Sequence, residues 1–395
     1  MKDQAVVDTI IQILQSVLPP DRTSIGLHEP EFGGKEWQYV KECLDTGWVS
    51  SVGAYVDRFE RQLAEYTGVK RAVAVVNGTA ALHLCLQLAG VRPGDEVFIP
   101  ALTFVATANA VSYCQAIPHL VDVDEFTLGM DPGKLRDYLS EIAVTKQGET
   151  YNRLTGRRIK AVVPMHTFGH PVDLDALADV CERYNLAMVE DAAESLGSYY
   201  KGRHTGNRGV CAALSFNGNK IITTGGGGAI LTNDEALGRT AKHLTTTAKL
   251  PHPWRFDHDQ VGYNYRLPNL NAALGCAQLE RLPEFLTQKR HLAAKYQQAF
   301  APVREVRFVI EPPYAQSNYW LNAIVLDRKW VSLRDKILEV TNQRGIMTRP
   351  AWTLMHKLPM YKDCPKMKLD TAEYLESALI NLPSSAFLGG DDGEA

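Results

Sequence analysis

The 395-residue sequence has no C-x-x-C pair, no long run of like charge, no internal repeat and no apolar stretch that could span a bilayer. Each absence removes a class of protein. Seven cysteines (Cys43, Cys85, Cys114, Cys181, Cys211, Cys276, Cys364) are an odd number at wide spacing. Most sit among apolar neighbours, as Cys85 does between Leu84 and Leu86, so they read as buried thiols in a reducing cytoplasm, with neither a disulfide framework nor a zinc site. Behind Lys2, apolar residues are interrupted by Asp8, Gln12 and Gln15, which leaves no signal-peptide core. Lys and Arg number 42 against 45 Asp and Glu, a net charge of -3, so neither nucleic acid nor a membrane is expected as a partner. His166 and His170 lack a further ligand set, and no metal is expected.

What is present reads as an ordinary globular chain, 45% hydrophobic and 22% charged. Its length exceeds what a single core usually serves, so two packed lobes are expected. Val7, Ile10, Ile11, Leu14, Val17 and Leu18 share one helical face before Pro19 and Pro20, predicting a leader helix within residues 1–24. Apolar runs at 72–76, 96–99, 118–121, 159–163 and 186–189 then alternate with helical patterns opening at Thr79, Thr103, Pro132 and Asp173. That alternation predicts an α/β fold over residues 25–265, a mostly parallel central sheet covered by helices. Residues 143–158 read as a surface loop. A long helix from Asn269 toward Phe300, interrupted at Pro283, should lead into a smaller α+β unit within 266–388, with a strand at 320–326 and a helix at 333–343. Residues 389–395 lack large apolar side chains and read as a frayed tail.

Three motifs carry chemistry. Asn77-Gly78-Thr79-Ala80-Ala81-Leu82 follows a strand and opens a helix, where a glycine turn and free amides suit a phosphate. A helix cap is the plainer reading of those residues alone. Glu190-Asp191-Ala192-Ala193-Glu194 puts carboxylates at the end of a buried strand, the edge at which open α/β sheets bind ligands. Asp191 there would need a cation, and a protonated pyridine nitrogen serves as one; a cap or an internal salt bridge is the alternative. Ser215-Phe216-Asn217-Gly218-Asn219-Lys220 precedes Gly225 to Gly228, a setting in which a loop can hold an amine against a planar ligand.

Together with Thr103-Phe104-Val105-Ala106-Thr107 and Gly262-Tyr263-Asn264-Tyr265-Arg266, these motifs resemble the DegT/StrS family of sugar aminotransferases, over about residues 25 to 385. The resemblance implies the fold type I aminotransferase architecture and the cofactor pyridoxal 5′-phosphate (PLP), with pyridoxamine phosphate as its aminated form. Lys220 would be the lysine that joins the cofactor as a Schiff base and then moves the substrate proton. Asp191 would face the pyridine nitrogen. Gly78, Thr79, Ala80 and Ser215 would hold the phosphate, and Phe104 would stack on the ring. Asn264 matches an asparagine that reaches the neighbouring subunit's cofactor, which implies a homodimer with shared active sites. His356 matches a substrate-facing histidine, and Trp48, Ser51 and Asn217 are further substrate candidates.

Two positions depart from the family pattern. Glu194 stands beside the cofactor's phenolic oxygen where many members have Gln, and Gly225 to Gly228 replace a Gly-Glu-Gly-Gly run. With the leader helix, these features are most similar to the subgroup on routes to legionaminic acid, bacillosamine and related surface glycans. The expected reaction moves an amino group from L-glutamate to C4 of a nucleotide-linked 4-keto-6-deoxy sugar, first choice a UDP-linked N-acetylhexosamine. A GDP- or dTDP-linked 3- or 4-keto sugar, or a non-catalytic PLP-binding regulator, are the alternatives. Lys220 argues against the branch that dehydrates at C3, whose members carry His there.

Overall fold

The computed structural model describes residues 2–390. Its centre is a nine-stranded sheet whose main path runs Arg71–Val75, Gly228–Thr232, Cys211–Ser215, Ala187–Asp191, Arg158–Val162, Glu96–Pro100 and Ile117–Val121. The last five strands pair in parallel, whereas Gly228–Thr232 is antiparallel to both neighbours. The central strands Glu96–Pro100 and Gly228–Thr232 are buried along their whole length, and Ala187–Asp191 at all but its first residue, as a sheet covered on both faces requires. The helices expected after the strands are Gly78–Leu88, Val105–Tyr113, Pro132–Ile142 and Leu174–Arg183. Asn77, Asp131 and Asp173 cap three of them through side-chain oxygens.

Residues 143–152 depart from the loop expected there. Ala143–Lys146 and Glu149–Asn152 form an antiparallel hairpin that pairs with the first residues of the interior strand Arg158–Val162. Gln147 and Gly148, with φ of 52° and 79°, make the two-residue turn whose twist suits such strands. The helix Asn269–Phe300 also runs unbroken through Pro283. Its buried face, including Cys276, Leu282, Phe285, Leu292 and Tyr296, supplies packing that outweighs the hydrogen bond Pro283 removes.

A second sheet of four strands, ordered Val306–Phe308, Asn322–Leu326, Leu379–Leu382 and Arg349–Pro350, carries the helices Arg334–Gln343 and Asp370–Ala378. The leader helix Lys2–Val17 buries Val6, Val7, Ile10, Ile11 and Leu14 against Asn269–Phe300 and Arg334–Gln343. Gly389, expected to begin a loose tail, is buried instead. A Cβ there would lie 1.9 Å from the Gln288 carbonyl, and its own carbonyl meets His291 Nδ1 at 2.8 Å. The rest of that tail, residues 391–395, lies outside the described residues. Among the described residues no helix is long and apolar enough to cross a membrane.

Within the four-glycine run, Gly228 and Gly226 differ sharply in the space around them. A Cβ on Gly228 would sit 2.5 Å from the Asn77 carbonyl carbon and 2.6 Å from the Gly78 nitrogen, whereas one on Gly226 would meet nothing within 4 Å. Backbone cannot yield as a flexible side chain does. Gly228→Ala is therefore expected to lower stability by about 1–3 kcal/mol, read as a fall in thermal midpoint. Gly226→Ala should leave the midpoint near the wild-type value; equal midpoints for the two variants would refute this reading.

Candidate active site

The strand order sets Asp191 and Ser215 at the C-terminal ends of adjacent parallel strands, with the start of the helix Gly78–Leu88 beside them. At that turn Gly78 is obligatory for space, since a Cβ would meet Ser215 Cβ at 2.8 Å and the Leu214 carbonyl at 3.3 Å. The amides of Gly78 and Thr79 open the helix and have no acceptor within it, so they are available to an anion. Ala80 is not: its amide donates to Asn77 Oδ1 at 2.8 Å. Asn77, Gly78, Thr79 and Ser215, with Phe104, Asp191, Glu194, Asn217 and Lys220, line one cavity of about 270 Å³.

Asp191 is 5% exposed. Thr107 Oγ1 donates to its Oδ2 at 2.7 Å and the Ala193 amide to its Oδ1 at 3.2 Å. Burial raises its carboxyl above the usual range, against those two bonds and the charge of Lys220. Glu194 is 3% exposed, and burial pushes its carboxyl up to about 7. The Phe168 amide donates to its Oε2 at 2.9 Å, and Lys220 Nζ lies 3.3 Å from its Oε1. That Phe168 amide is delivered from a strained turn, φ 55°, ψ 17°. The turn is pinned by Asn318, whose Oδ1 would lie 1.8 Å from any Cβ on Gly169. Lys220 Nζ also stands 3.9 Å from the ring centre of Trp320.

Several expected site residues lie elsewhere in this chain. Asn264 Oδ1 accepts from Arg266 Nε at 3.0 Å, outside the cavity. Trp48 is exposed, and Ser51 lines a separate cavity of about 590 Å³ with Lys242, Lys249 and Arg266. His356 does not line the cavity; its Nε2 is 3.6 Å from Glu373. His166 is a second-layer residue, its Nε2 3.0 Å from Glu190 Oε2. Sequence reasoning did not single out Asn219, Met165, Trp320 and Trp352, which complete the wall. Thr107 stood within a quoted motif, and a hydroxyl so close to an aromatic ring-binding segment was its only signal.

The cavity suits a flat, phosphate-bearing pyridine. It offers a small-residue turn with free amides for the phosphate, a buried carboxylate for a protonated ring nitrogen, and an amine within reach. Glu194 makes the cavity pH-sensitive. With its carboxyl raised in the folded state, the folded protein holds a proton that the unfolded chain has lost, so this residue's contribution to stability falls as pH rises from 4.5 to 7. Without cofactor, the thermal midpoint of Glu194→Gln should gain on the wild type across that interval. A gap that stays constant with pH would refute the assignment.

Residues 30–394 match the DegT/DnrJ/EryC1/StrS aminotransferase family. The GDP-perosamine synthase of Caulobacter vibrioides is 40% identical over 371 residues, covering 93% of this chain and 95% of that protein. The GDP-perosamine synthase of Escherichia coli O157:H7 is 35% identical over 367 residues, covering 93% and 95%. Among solved structures, the aminotransferase TlmJ from Streptoalloteichus hindustanus superposes with a TM-score of 0.82 at 31% identity, covering 91% of this chain and 93% of that one. The fold is that of the fold type I aminotransferases, and the cofactor is PLP. The chain belongs to the DegT/DnrJ/EryC1/StrS aminotransferase family and is a PLP-dependent sugar aminotransferase.

Proposed function

We propose that this enzyme moves an amino group from L-glutamate to C4 of a GDP-linked 4-keto-6-deoxy sugar. The observation that carries the reading is Lys220, whose amine faces the cavity between Glu194 and Trp320 with Asp191 at the floor. The GDP-linked alternative takes precedence over the UDP-linked N-acetylhexosamine because the near full-length similarity is to GDP-perosamine synthases.

PLP, when bound, supplies the electron sink and carries the amino group between the two half-reactions. Lys220 Nζ is the nucleophile that anchors it and the base that moves a proton at the reacting carbon. Asp191, held by Thr107 and the Ala193 amide, offers its carboxylate to the ring nitrogen. Phe104, half exposed in the cavity wall, would lie against the ring. Glu194, with a carboxyl near neutrality, takes up or releases the proton that Lys220 exchanges.

The working unit in this proposal is a homodimer. Trp254, Phe256 and Val261 are 77%, 76% and 86% exposed in the loop leading to Asn264, an apolar surface that a second copy would cover. Sedimentation at micromolar concentration should give a dimer, and replacing Trp254 and Phe256 by Ser should yield monomers; a wild-type monomer would overturn it.

The reaction is tested by incubating purified enzyme with PLP, glutamate and a panel of GDP-, UDP- and dTDP-linked keto sugars, with products identified by mass spectrometry. The GDP-linked 4-keto-6-deoxy sugar should gain an amine, and Lys220→Ala should lose both turnover and the Schiff-base absorbance. Amination confined to a UDP sugar would reverse the nucleotide assignment.

A further inference from the structure

Two threonines stand behind Asp191. Thr107, the third residue of the helix Val105–Tyr113, and Thr103, four residues before it, are fully buried, and neither lines the cavity. Their hydroxyls meet at 2.9 Å. From that pair Thr107 Oγ1 reaches Asp191 Oδ2 at 2.7 Å, while Thr103 Oγ1 lies 2.9 Å from Met165 Sδ. Met165 is buried too, and its backbone bridges to that of Asp191. Met165, Thr103, Thr107 and Asp191 thus form one line of polar atoms.

A hydroxyl has one proton to give, so the line has a direction, and the direction depends on Asp191. An ionised Asp191 can only accept. Thr107 then gives its proton to the carboxylate and takes one from Thr103, which leaves Met165 without a donor. A proton on Oδ2 permits the reverse order, from Asp191 to Thr107 to Thr103, ending on Met165 Sδ. The two orders are unequal. The first ends on a carboxylate, where a charge-assisted bond is about twice as strong as a neutral one, and the hydroxyl behind the donor strengthens it further. The reverse ends on a thioether, a weak acceptor. The relay therefore favours the ionised form, against the burial that favours the neutral one.

Lys220, after the strand Cys211–Ser215, and His166, after Arg158–Val162, act in the same direction through space. Glu194 on the acidic loop and Cys85 on the helix Gly78–Leu88 are the other titratable groups that feel Asp191. None of these bonds to its carboxyl: among the described residues the donors are Thr107 and the Ala193 amide. We propose that Thr103 and Thr107 are positioning residues for the reaction, a two-hydroxyl relay that keeps Asp191 a carboxylate, so that the proton it shares with the cofactor's ring nitrogen stays on the ring. The inference rests on the assignment of Asp191 to that nitrogen. A neutral ring is a poorer electron sink, and one ring serves both half-reactions, so losing the relay slows the two alike.

Cofactor-free protein tests the relay directly, by carbon NMR of labelled aspartate with the Asp191 signal identified by its loss in Asp191→Asn. In Thr107→Val the carboxyl should titrate about one pH unit or more above wild type; Thr103→Val should move it the same way by less, and Thr107→Ser should leave it near wild type. In the loaded enzyme, nitrogen NMR of labelled PLP should find the ring nitrogen protonated in wild type and Thr107→Ser, and its proton lost in Thr107→Val. Both half-reactions of Thr107→Val, each followed by cofactor absorbance in single turnover, should slow by a similar factor, about tenfold or more. An unmoved Asp191 titration in Thr107→Val would overturn the proposal. So would an equal shift in Thr107→Ser, which would trace the effect to packing. Should Thr107→Val not fold, Thr103→Val decides on the same signal. If Asp191→Asn leaves the ring-nitrogen signal as in wild type, the assignment of Asp191 fails by itself, and the carboxyl titration still decides whether the relay holds it.

Discussion

Asp191 and Glu194 are buried three residues apart beside a single amine, and the desolvation of two carboxylates is the cost around which the neighbouring structure is arranged. An unpaired buried carboxylate costs several kcal/mol, so every nearby donor matters. Asp191 draws on Thr107 and the Ala193 amide, Glu194 on Phe168 and Lys220. The Phe168 amide is available only because the turn at 167–169 adopts a backbone that a phenylalanine rarely takes. Asn318 keeps it so: its Nδ2 donates to the carbonyls of Glu194 and Leu196, and its Oδ1 accepts the Trp320 amide. One side chain thus ties the acidic loop of the large sheet to the segment that enters the small one.

The sheet topology explains why such distant residues converge. Parallel strands end at the same edge, which places Asp191 and Ser215 side by side. The antiparallel strand Gly228–Thr232 then brings Gly228 back against the Asn77–Gly78 turn, where any side chain would push the phosphate-side amides away from Ser215. Glycine at 228 and glycine at 78 answer the same constraint from two sides.

Local sequence carried a large part of this. Strands and helices of the central sheet were legible because hydrophobic period and capping residues agree, as at Asn77 and Asp173. The hairpin at 143–152 was not, because its turn needs positive φ at Gln147, for which glutamine gives no signal. Gly78, Asp191, Ser215 and Lys220 stood out since each lies in a short motif at an element's end. Trp320 and Trp352 did not, because their place in the cavity wall is set by the packing of the second sheet. Ala80 was assigned to the phosphate by its motif, yet its amide is consumed by the cap that forms the turn. Asn264, Trp48 and Ser51, which the resemblance offered, fall outside this cavity.

The charge balance of the site also depends on a lysine that takes no part in it. Lys289 is 1% exposed on the long helix, and its amine donates to the carbonyls of Trp320 and Ser384. Burial drives its pKa well down, which favours the neutral amine. Through these two bonds it steadies Trp320 and the segment at Ser384. Were it an arginine, the charge would be fixed and the buried His28 ring would be pushed further toward its neutral form. Lys220 is the amine that faces Glu194. Once Lys220 is engaged with the cofactor, Glu194 has to meet its own desolvation by holding a proton, as a carboxyl near neutrality can.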